Sequence, residues 1–148
     1  MYSSSSPSSS SSLSVQSEIP LRVYYADTDA AGVVYYANYL RFCEIGRTEW
    51  LRMRSLERPV LAHTNGLVFV VRSVNASYLS PARLDDILTI RTCMSRLGGA
   101  SITFKQTVLR QAQLLFEADI VLACVDMARM KSVPLPSLLR QTLLNLNA

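Results

Sequence analysis

The densest set of reactive side chains in this sequence lies between Tyr24 and Tyr39, in the stretch YYADTDAAGVVYYANY. Two acids, Asp27 and Asp29, stand beside an Ala-Ala-Gly turn, and an apolar and aromatic run follows them. Burial under aromatic rings disfavours the charged form of a carboxylate and raises its basicity. Because such a carboxylate acts as a general base or a nucleophile, the stretch predicts a catalytic acid that is partly shielded from water.

The two aspartates also fit two simpler interpretations. A turn by itself favours Asp, because its side chain accepts hydrogen bonds from nearby backbone N–H groups. A calcium loop is excluded, because Val33 and Val34 stand where further acidic ligands are needed. Because His63 is the only histidine, a histidine-rich metal site is excluded, and we expect His63 to lie in a surface loop. No metal or redox cofactor is expected.

The elements that must position these acids begin with a strand from Ile19 to Tyr25. From Asn38 to about Arg54, apolar residues recur every three or four positions, which predicts a long helix with Asn38 as its N-cap. Charged residues, Arg47 among them, occupy much of the remainder of this helix. Gly46 inside the helix indicates that another part of the chain approaches closely there.

Strand patterns dominate the second half of the chain. The predicted strands are Leu67 to Tyr78, Ile87 to Met94, Ser101 to Leu109 and Leu114 to Asp126. A C-terminal helix is predicted from Ser137 to Leu146. Gly98 and Gly99 predict a tight hairpin turn between the second and third of these strands. One early helix followed by antiparallel strands predicts an α+β fold, with one sheet curled around the helix.

Composition limits the possible classes of protein. The first 17 of the 148 residues are Ser-rich, so we expect a disordered tail at 1–17 and one domain at 18–148. No apolar run approaches the length of a membrane span. A net charge of +4 is too modest to indicate a nucleic-acid partner but suits a phosphate-bearing ligand.

The three cysteines, Cys43, Cys93 and Cys124, lie far apart in the sequence and form no C-x-x-C motif. This pattern predicts free thiols that pack in the core of a protein from a reducing compartment, which we take to be the cytoplasm.

The runs YADTDAAGVVYYANYLRF and EIGRTEWLR resemble the hotdog-fold thioesterases of the 4-hydroxybenzoyl-CoA type. That family includes Tol–Pal-associated acyl-CoA thioesterases and 1,4-dihydroxy-2-naphthoyl-CoA hydrolases. The resemblance continues through FVVRSVNASYLSPARLDDILTI to DMARMKSVPLP, so it covers nearly everything after the Ser-rich tail. It implies an α+β hotdog fold, a long helix wrapped by an antiparallel sheet. It also implies a homodimer or homotetramer with active sites at the subunit interface.

The resemblance also implies roles for individual residues. Asp29 matches the catalytic carboxylate of the family, and Asp27 is expected to brace the turn. The backbone N–H groups of Val68 and Phe69, contributed by the other subunit, match the donors that polarise the thioester carbonyl. Tyr36 matches a position that is His in Tol–Pal-type members and Tyr in hydroxybenzoyl-type members.

The aromatic side chains Tyr35, Tyr36 and Tyr39 suit a pocket for a flat acyl group, although packing explains them equally well.

Two basic residues, Arg129 and Lys131, match positions that hold coenzyme A phosphates in the hydroxybenzoyl-type enzymes. They are spaced by two on a predicted strand end, so their side chains should face the same way, which suits a phosphate. An exposed strand end is the alternative explanation. Arg72 also matches a family position, and we expect it to form a salt bridge with Asp85 or Asp86.

These observations predict an acyl-CoA thioesterase for an aromatic substrate, with 1,4-dihydroxy-2-naphthoyl-CoA of quinone biosynthesis as the first candidate. Asp29 either attacks the thioester to give a mixed anhydride or activates a water molecule. One alternative is a broad-specificity acyl-CoA or acyl-carrier-protein thioesterase, in which Glu44 or Glu49 could be the base. The other is a non-catalytic hotdog domain that binds acyl-CoA.

Overall fold

A computed structural model describes residues 16–57, 60 and 66–146. Its strands are β1 (Gln16–Arg22), β2 (Leu67–Tyr78), β3 (Ile87–Leu97), β4 (Ser101–Arg110), β5 (Gln113–Asp126) and β6 (Lys131–Ser132). Its α-helices are α1 (Asn38–Met53) and α2 (Ser137–Asn145), and a 3₁₀ turn spans Tyr25–Asp27. His63 and the first 15 residues of the predicted tail lie outside the described residues.

The described strands form one antiparallel sheet in the order β1-β3-β4-β5-β2, with β6 paired to the end of β5. The hairpin predicted at Gly98–Gly99 is confirmed, because Gly98 N donates to Ser101 O at 2.8 Å between β3 and β4. Strand β4 alternates as predicted, with Ile102, Phe104 and Val108 fully buried. The order leaves β2 at one edge of the described sheet and β1 at the other.

The sheet wraps around α1, whose apolar face supplies the centre of the core. Trp50 is fully buried and meets Phe104 of β4 edge to face, with ring centroids 5.0 Å apart. A methyl group added at Gly46 would lie 2.7 Å from Ile90 Cγ2 and 2.7 Å from Thr92 Oγ1. The close approach inferred from Gly46 is therefore confirmed, and the predicted architecture of a long helix wrapped by a curled antiparallel sheet is confirmed with it.

Two element boundaries differ from the prediction. Gln16 and Ser17 already belong to β1, where they pair with Cys93 and Thr92, so the predicted start of the domain at residue 18 is two residues late. A serine can join a strand through its backbone hydrogen bonds, so a Ser-rich composition does not show where the pairing begins. The strand also ends at Arg22 rather than Tyr25, because the chain turns into the 3₁₀ segment.

The helix cap is also different. Ala37 is the N-cap of α1, and Asn38 is the first helical residue. The Asn38 side chain is directed instead to Asp27, at 2.7 Å. In the described residues, no helix is long and apolar enough to cross a lipid bilayer.

Candidate active site

Asp27 is the structural centre of the loop that carries the two acids. It is buried, and its carboxylate accepts hydrogen bonds from Tyr24 N at 2.9 Å and Asn38 Nδ2 at 2.7 Å. Arg41 Nη1 adds a longer contact at 3.4 Å. These bonds join the 3₁₀ turn to the first turn of α1, so Asp27 braces the loop as predicted.

The loop is also fixed to the segment that precedes β3. Val34 N donates to Ala82 O at 2.9 Å, and Leu84 N donates to Gly32 O at 3.1 Å. Gly32 has φ +81°, a conformation that glycine adopts without steric cost. Asp29 N donates to Val33 O at 2.9 Å, which closes the tight turn between them. Asp29 is therefore held by backbone geometry on both sides.

The Asp29 carboxylate has a different environment from that of Asp27. Its Oδ1 accepts a hydrogen bond from Ala31 N at 2.8 Å, and within the described residues no donor is bonded to Oδ2. The side chain is exposed, as are those of Tyr35 and Tyr36. The prediction of a shielded acid is therefore wrong for a single chain, because the aromatic residues that follow the turn do not cover it.

An aromatic cluster lies beside this loop. Tyr39 is buried and stacks on Phe116 with centroids 4.9 Å apart, and Tyr78 meets Tyr39 edge to face at 5.5 Å. Tyr78 Oη donates to Tyr36 O at 3.0 Å. Burial, together with the nearby Tyr36 and Tyr39, raises the pKa of Tyr78 above its ordinary value. The cluster fixes the position of Tyr36.

A cleft of about 300 Å³ opens at this cluster, lined by Val34, Tyr36, Tyr39, Tyr78, Leu79, Ser80 and Pro81. It contains two of the three tyrosines expected to line a pocket. Tyr35 is not among the lining residues and instead packs on Tyr36, with centroids 4.8 Å apart. Tyr78 was missed by the sequence analysis, because nothing in its strand pattern shows which end of β2 meets the loop.

The predicted carbonyl-polarising donors lie far from Asp29 along the same chain. Val68 and Phe69 pair with Val125 and Cys124 near the start of the edge strand β2. Tyr78, whose hydroxyl bonds to Tyr36 in the loop after Asp29, is ten residues beyond Val68 on β2. Ten residues of extended strand span about 33 Å. Consecutive N–H groups of a strand point to opposite edges, so only one of Val68 and Phe69 faces the free edge.

The basic residues Arg129 and Lys131 do not share a strand. Arg129 lies in a turn, where its Nε contacts Asp126 Oδ2 at 3.2 Å, while exposed Lys131 lies in β6 opposite Asp126. The prediction that the two side chains face the same way from one strand is therefore wrong. The physical reason is that the Asp126 carboxylate also accepts the backbone N–H groups of Ala128 and Arg129, which makes the chain turn.

The predicted salt bridge of Arg72 is also wrong. In the described residues, neither Asp85 nor Asp86 lies within ion-pair distance of Arg72; Asp86 pairs with Arg110 at 2.7 Å. Arg72 lies at an irregularity in β2, where the pairing register with β5 shifts between Val71 and Ser73.

A second opening is a groove of about 420 Å³ between α1 and β2, lined by Leu40, Arg41, Glu44, Arg47, Val71, Val74 and Ile120. Arg47 is only 9% exposed, and its Nη1 donates to Gln106 Oε1 at 2.9 Å. Gln106 in turn donates to Cys43 O and Thr92 Oγ1, each at 2.8 Å. Burial lowers the pKa of Arg47, and Cys43 and Glu44 oppose that shift.

Arg47 is predicted among the charged residues outside the apolar stripe of α1, but the structure buries it. The signal for its burial was present, because Arg47 lies four residues after Cys43 and three before Trp50, on the buried side of the helix. Burial raises the pKa of Cys43 to about 12, so this thiol is unreactive and packs in the core, as predicted. Glu49, one of the two alternative bases, instead pairs with Arg52 at 3.3 Å.

Comparison with known proteins identifies the family. The family described as Thioesterase superfamily matches residues 31–117, which include most of the loop after Asp29, all of α1, strands β2, β3 and β4, and the start of β5. This chain belongs to the thioesterase superfamily. Its expected assignment as a thioester hydrolase with the hotdog fold is thereby confirmed.

Relatives of this thioesterase superfamily member are similar over most of their length. The acyl-CoA thioesterase YbgC of Haemophilus influenzae is 44% identical over 117 residues, which cover 79% of this chain and 86% of that protein. The 1,4-dihydroxy-2-naphthoyl-CoA hydrolase of Thermosynechococcus vestitus is 28% identical over 115 residues, covering 77% and 79%.

A solved structure agrees with these relatives. The crystal structure of a probable thioesterase from Bartonella henselae superposes with a TM-score of 0.71 at 38% identity, covering 82% of this chain and 99% of that one.

Proposed function

We propose that this protein hydrolyses acyl-CoA thioesters and that Asp29 is the catalytic carboxylate. The observation that carries the proposal is the contrast within one turn: the backbone of Asp29 is fixed, while Oδ2 is exposed and unbonded among the described residues. A carboxylate that is positioned but not satisfied is available to a substrate carbonyl or to a water molecule. The YbgC relative at 44% identity is named an acyl-CoA thioesterase, which supports this substrate class.

We further propose that the active protein is a homodimer formed through β2. This strand is an edge of the described sheet, and Val70, which lies on it, is 44% exposed. Long apolar edge strands are normally covered, because their free N–H and C=O groups and side chains favour pairing with another strand. A second copy related by a two-fold axis would cover both edges at once.

Antiparallel pairing of two β2 strands also explains how a distant pair of residues could complete the site. When the pairing is limited to the central residues of β2, with the axis near the middle of Leu67–Tyr78, Val68 of the partner subunit lies opposite the Tyr78 end of this chain and the N–H groups at the strand ends stay unpaired. The N–H group on the free edge, from Val68 or Phe69, is then close to the loop that holds Asp29. Arg129 and Lys131 of the partner subunit approach the same place, because Asp126 pairs with Leu67 at that end of the sheet.

In the proposed reaction, the outward N–H group polarises the thioester carbonyl and stabilises the negative charge that develops on its oxygen. Asp29 then either attacks the carbonyl carbon or removes a proton from an attacking water. In both routes the carbon–sulfur bond breaks, coenzyme A leaves as the thiol, and water supplies the oxygen of the free acid. Arg129 and Lys131 are proposed to bind coenzyme A phosphates as cations at the mouth of the site.

For the acyl group, we favour broad acyl-CoA specificity over a dedicated aromatic substrate. The more similar relative is named for acyl-CoA in general, whereas the relative named for 1,4-dihydroxy-2-naphthoyl-CoA is only 28% identical. The tyrosine-lined cleft beside the loop keeps the aromatic substrate as a second candidate. Acyl-carrier-protein thioesters, a non-catalytic acyl-CoA-binding role and a cytoplasmic location remain further hypotheses.

The test is thiol release from 1,4-dihydroxy-2-naphthoyl-CoA, 4-hydroxybenzoyl-CoA and straight-chain acyl-CoAs, with the wild type, Asp29→Asn and Asp119→Asn. Asp119 is an exposed aspartate on β5 and serves as the matched control. We expect hydrolysis that is retained in the control and falls at least about 10³-fold in Asp29→Asn. Ligand binding without turnover in all three proteins would contradict the enzyme assignment and favour the acyl-CoA-binding module.

A further inference from the structure

The groove between α1 and β2 combines apolar walls with a polar base. Leu40, Val71, Val74 and Ile120 form the walls. Arg47 and Glu44, three residues apart on one side of the helix, supply opposite charges. A mostly apolar cleft with a few precisely placed polar groups is the usual form of a small-molecule site, in which the polar groups determine specificity.

Arg47 has more donors than the described part of the chain satisfies. A guanidinium carries five N–H groups. Among the described residues, its side chain has one hydrogen-bond partner, Gln106 Oε1 at 2.9 Å, although only 9% of the residue is exposed. Among the described residues, no Arg47 nitrogen is both buried and unbonded, so its remaining donors are open to the groove that Arg47 lines, where an acceptor on a ligand can reach them.

Glu44 has the complementary property. It is exposed at the groove, and within the part of the chain that the structure describes it forms no ion pair, with Arg47 or with any other residue. An ionised carboxylate only accepts hydrogen bonds, whereas a guanidinium only donates them. The groove therefore presents one donor-only group and one acceptor-only group to whatever enters it.

We propose that Arg47 and Glu44 bind a hydroxyl group carried by the acyl chain of the substrate, at the end remote from the thioester. This inference rests on the proposed acyl-CoA hydrolysis. A hydroxyl accepts from Arg47 and donates to Glu44 at the same time. A terminal methyl satisfies neither group, and a terminal carboxylate is repelled by Glu44.

The groove lies within reach of the proposed reaction site. Arg41 lines it and also contacts Asp27 at 3.4 Å, beside the start of α1. The Gln106 amide that accepts from Arg47 also donates to Cys43 O, which places the guanidinium near the level of Cys43. Cys43 is five residues after Asn38, or about 7–8 Å along the helix axis, a distance that suits an acyl chain of medium length.

The experiment compares kcat/KM for three thioesters of similar length: heptanoyl-CoA, 6-hydroxyhexanoyl-CoA and adipoyl-CoA. We expect the wild-type protein to favour the hydroxylated substrate over heptanoyl-CoA by about tenfold, as one charge-assisted hydrogen bond allows. Arg47→Met should bring that ratio close to one. Glu44→Gln should raise the adipoyl-to-heptanoyl ratio, because it removes the repulsion of a carboxylate.

Matched controls lie on the same helix. Arg52→Met and Glu49→Gln alter a pair that faces away from the groove lining, and both should leave all substrate ratios unchanged. If Arg47→Met fails to fold, as judged by thermal unfolding, Glu44→Gln decides, and an unchanged adipoyl ratio would overturn the subsite.

The outcomes also separate the two proposals. Equal wild-type rates on heptanoyl-CoA and 6-hydroxyhexanoyl-CoA would overturn the hydroxyl subsite and leave acyl-CoA hydrolysis intact. A weaker dimer in Arg47→Met with unchanged substrate ratios would show that a second copy supplies the acceptor, which also overturns the subsite. Failure to hydrolyse any acyl-CoA would instead refute the proposed function, and the subsite with it.

Discussion

Asp27 and Asp29 are separated by one residue, but the fold gives their carboxylates opposite environments. Asp27 is buried and bonded to the backbone of Tyr24 and the side chain of Asn38. Asp29 is exposed, and Oδ2 has no partner among the described residues. The same side chain thus serves in one position as a structural acceptor and in the other as a group left free for a ligand.

The comparison shows how a rigid loop can present an unsatisfied carboxylate. The bonds of Asp27 and the backbone bonds to Ala82 and Leu84 fix the turn, so the Asp29 side chain need not contribute to its stability. Functional positions are often those where local interactions are left incomplete while the surroundings are over-determined. Stability and activity should therefore respond to different members of the pair.

The largest expected effect is on activity at Asp29. Asp29→Asn should reduce kcat for acyl-CoA hydrolysis by at least about 10³-fold, because an amide is neither a base nor a nucleophile at neutral pH. Its melting temperature should stay close to that of the wild type, since the bond from Ala31 N can still be accepted by the amide oxygen. Thermal unfolding and thiol release measured on the same preparation check this, and a large loss of stability would contradict the division of roles.

Asp27→Ala should have the largest effect on stability. It leaves the Asn38 side chain and the Tyr24 N–H without their acceptor, and we expect a loss of about 2–3 kcal/mol in the free energy of unfolding. Activity should fall as well, because the loop that carries Asp29 loses its brace. Urea unfolding measures the loss, and a variant as stable as the wild type would show that Asp27 is not the brace.

Asn38→Ala should have a smaller effect of the same kind. It removes one of the partners of Asp27, and we expect about 1 kcal/mol of destabilisation. Asn38→Asp is a sharper probe, because it sets a second carboxylate against Asp27 and should be more destabilising than the alanine variant. The reverse order in urea unfolding would be inconsistent with a direct bond between the two side chains.

The smallest effect on stability is expected for the ion pair between Asp86 and Arg110, next to the segment before β3 that is bonded to the loop. Burial acts to raise the pKa of Asp86, but bonds from Arg110 and from Arg83 N outweigh it and hold the pKa below its usual value. A lowered folded-state pKa stabilises the protein above the unfolded-state value of about 4, and this contribution is lost as pH falls through the folded-state pKa.

Asp86→Asn should therefore lower stability by up to about 1 kcal/mol at neutral pH, because the pair is partly exposed. The difference from the wild type should shrink as pH falls below about 4, where Asp86 is protonated first in the unfolded state, and it should vanish below the lowered folded-state pKa, where Asp86 is protonated in both states. Melting temperatures of both proteins across pH 3–7 test this, with Asp119→Asn as a control that shows no such trend. A difference that is independent of pH would argue against an ionic contribution.

Much of the fold could be predicted from residue patterns. The apolar spacing of α1, the alternation of β4 and the glycine pair at 98–99 depend on local periodicity and turn chemistry, and the structure confirms all three. The shielding of Asp29, the pairing of Arg72 and the common strand of Arg129 and Lys131 could not be predicted reliably, because each depends on which distant segments meet.

Residue types at fixed local spacing are enough to predict the family, the element order and the loop in which two acids precede a glycine. Which acid is buried, the contact of Tyr78 with Tyr36, and the place of Arg47 beneath a groove beside Gln106 depend on how the whole chain packs. The physical reason is that burial and hydrogen-bond completion are properties of packed surroundings, and residues from remote parts of the chain supply those surroundings.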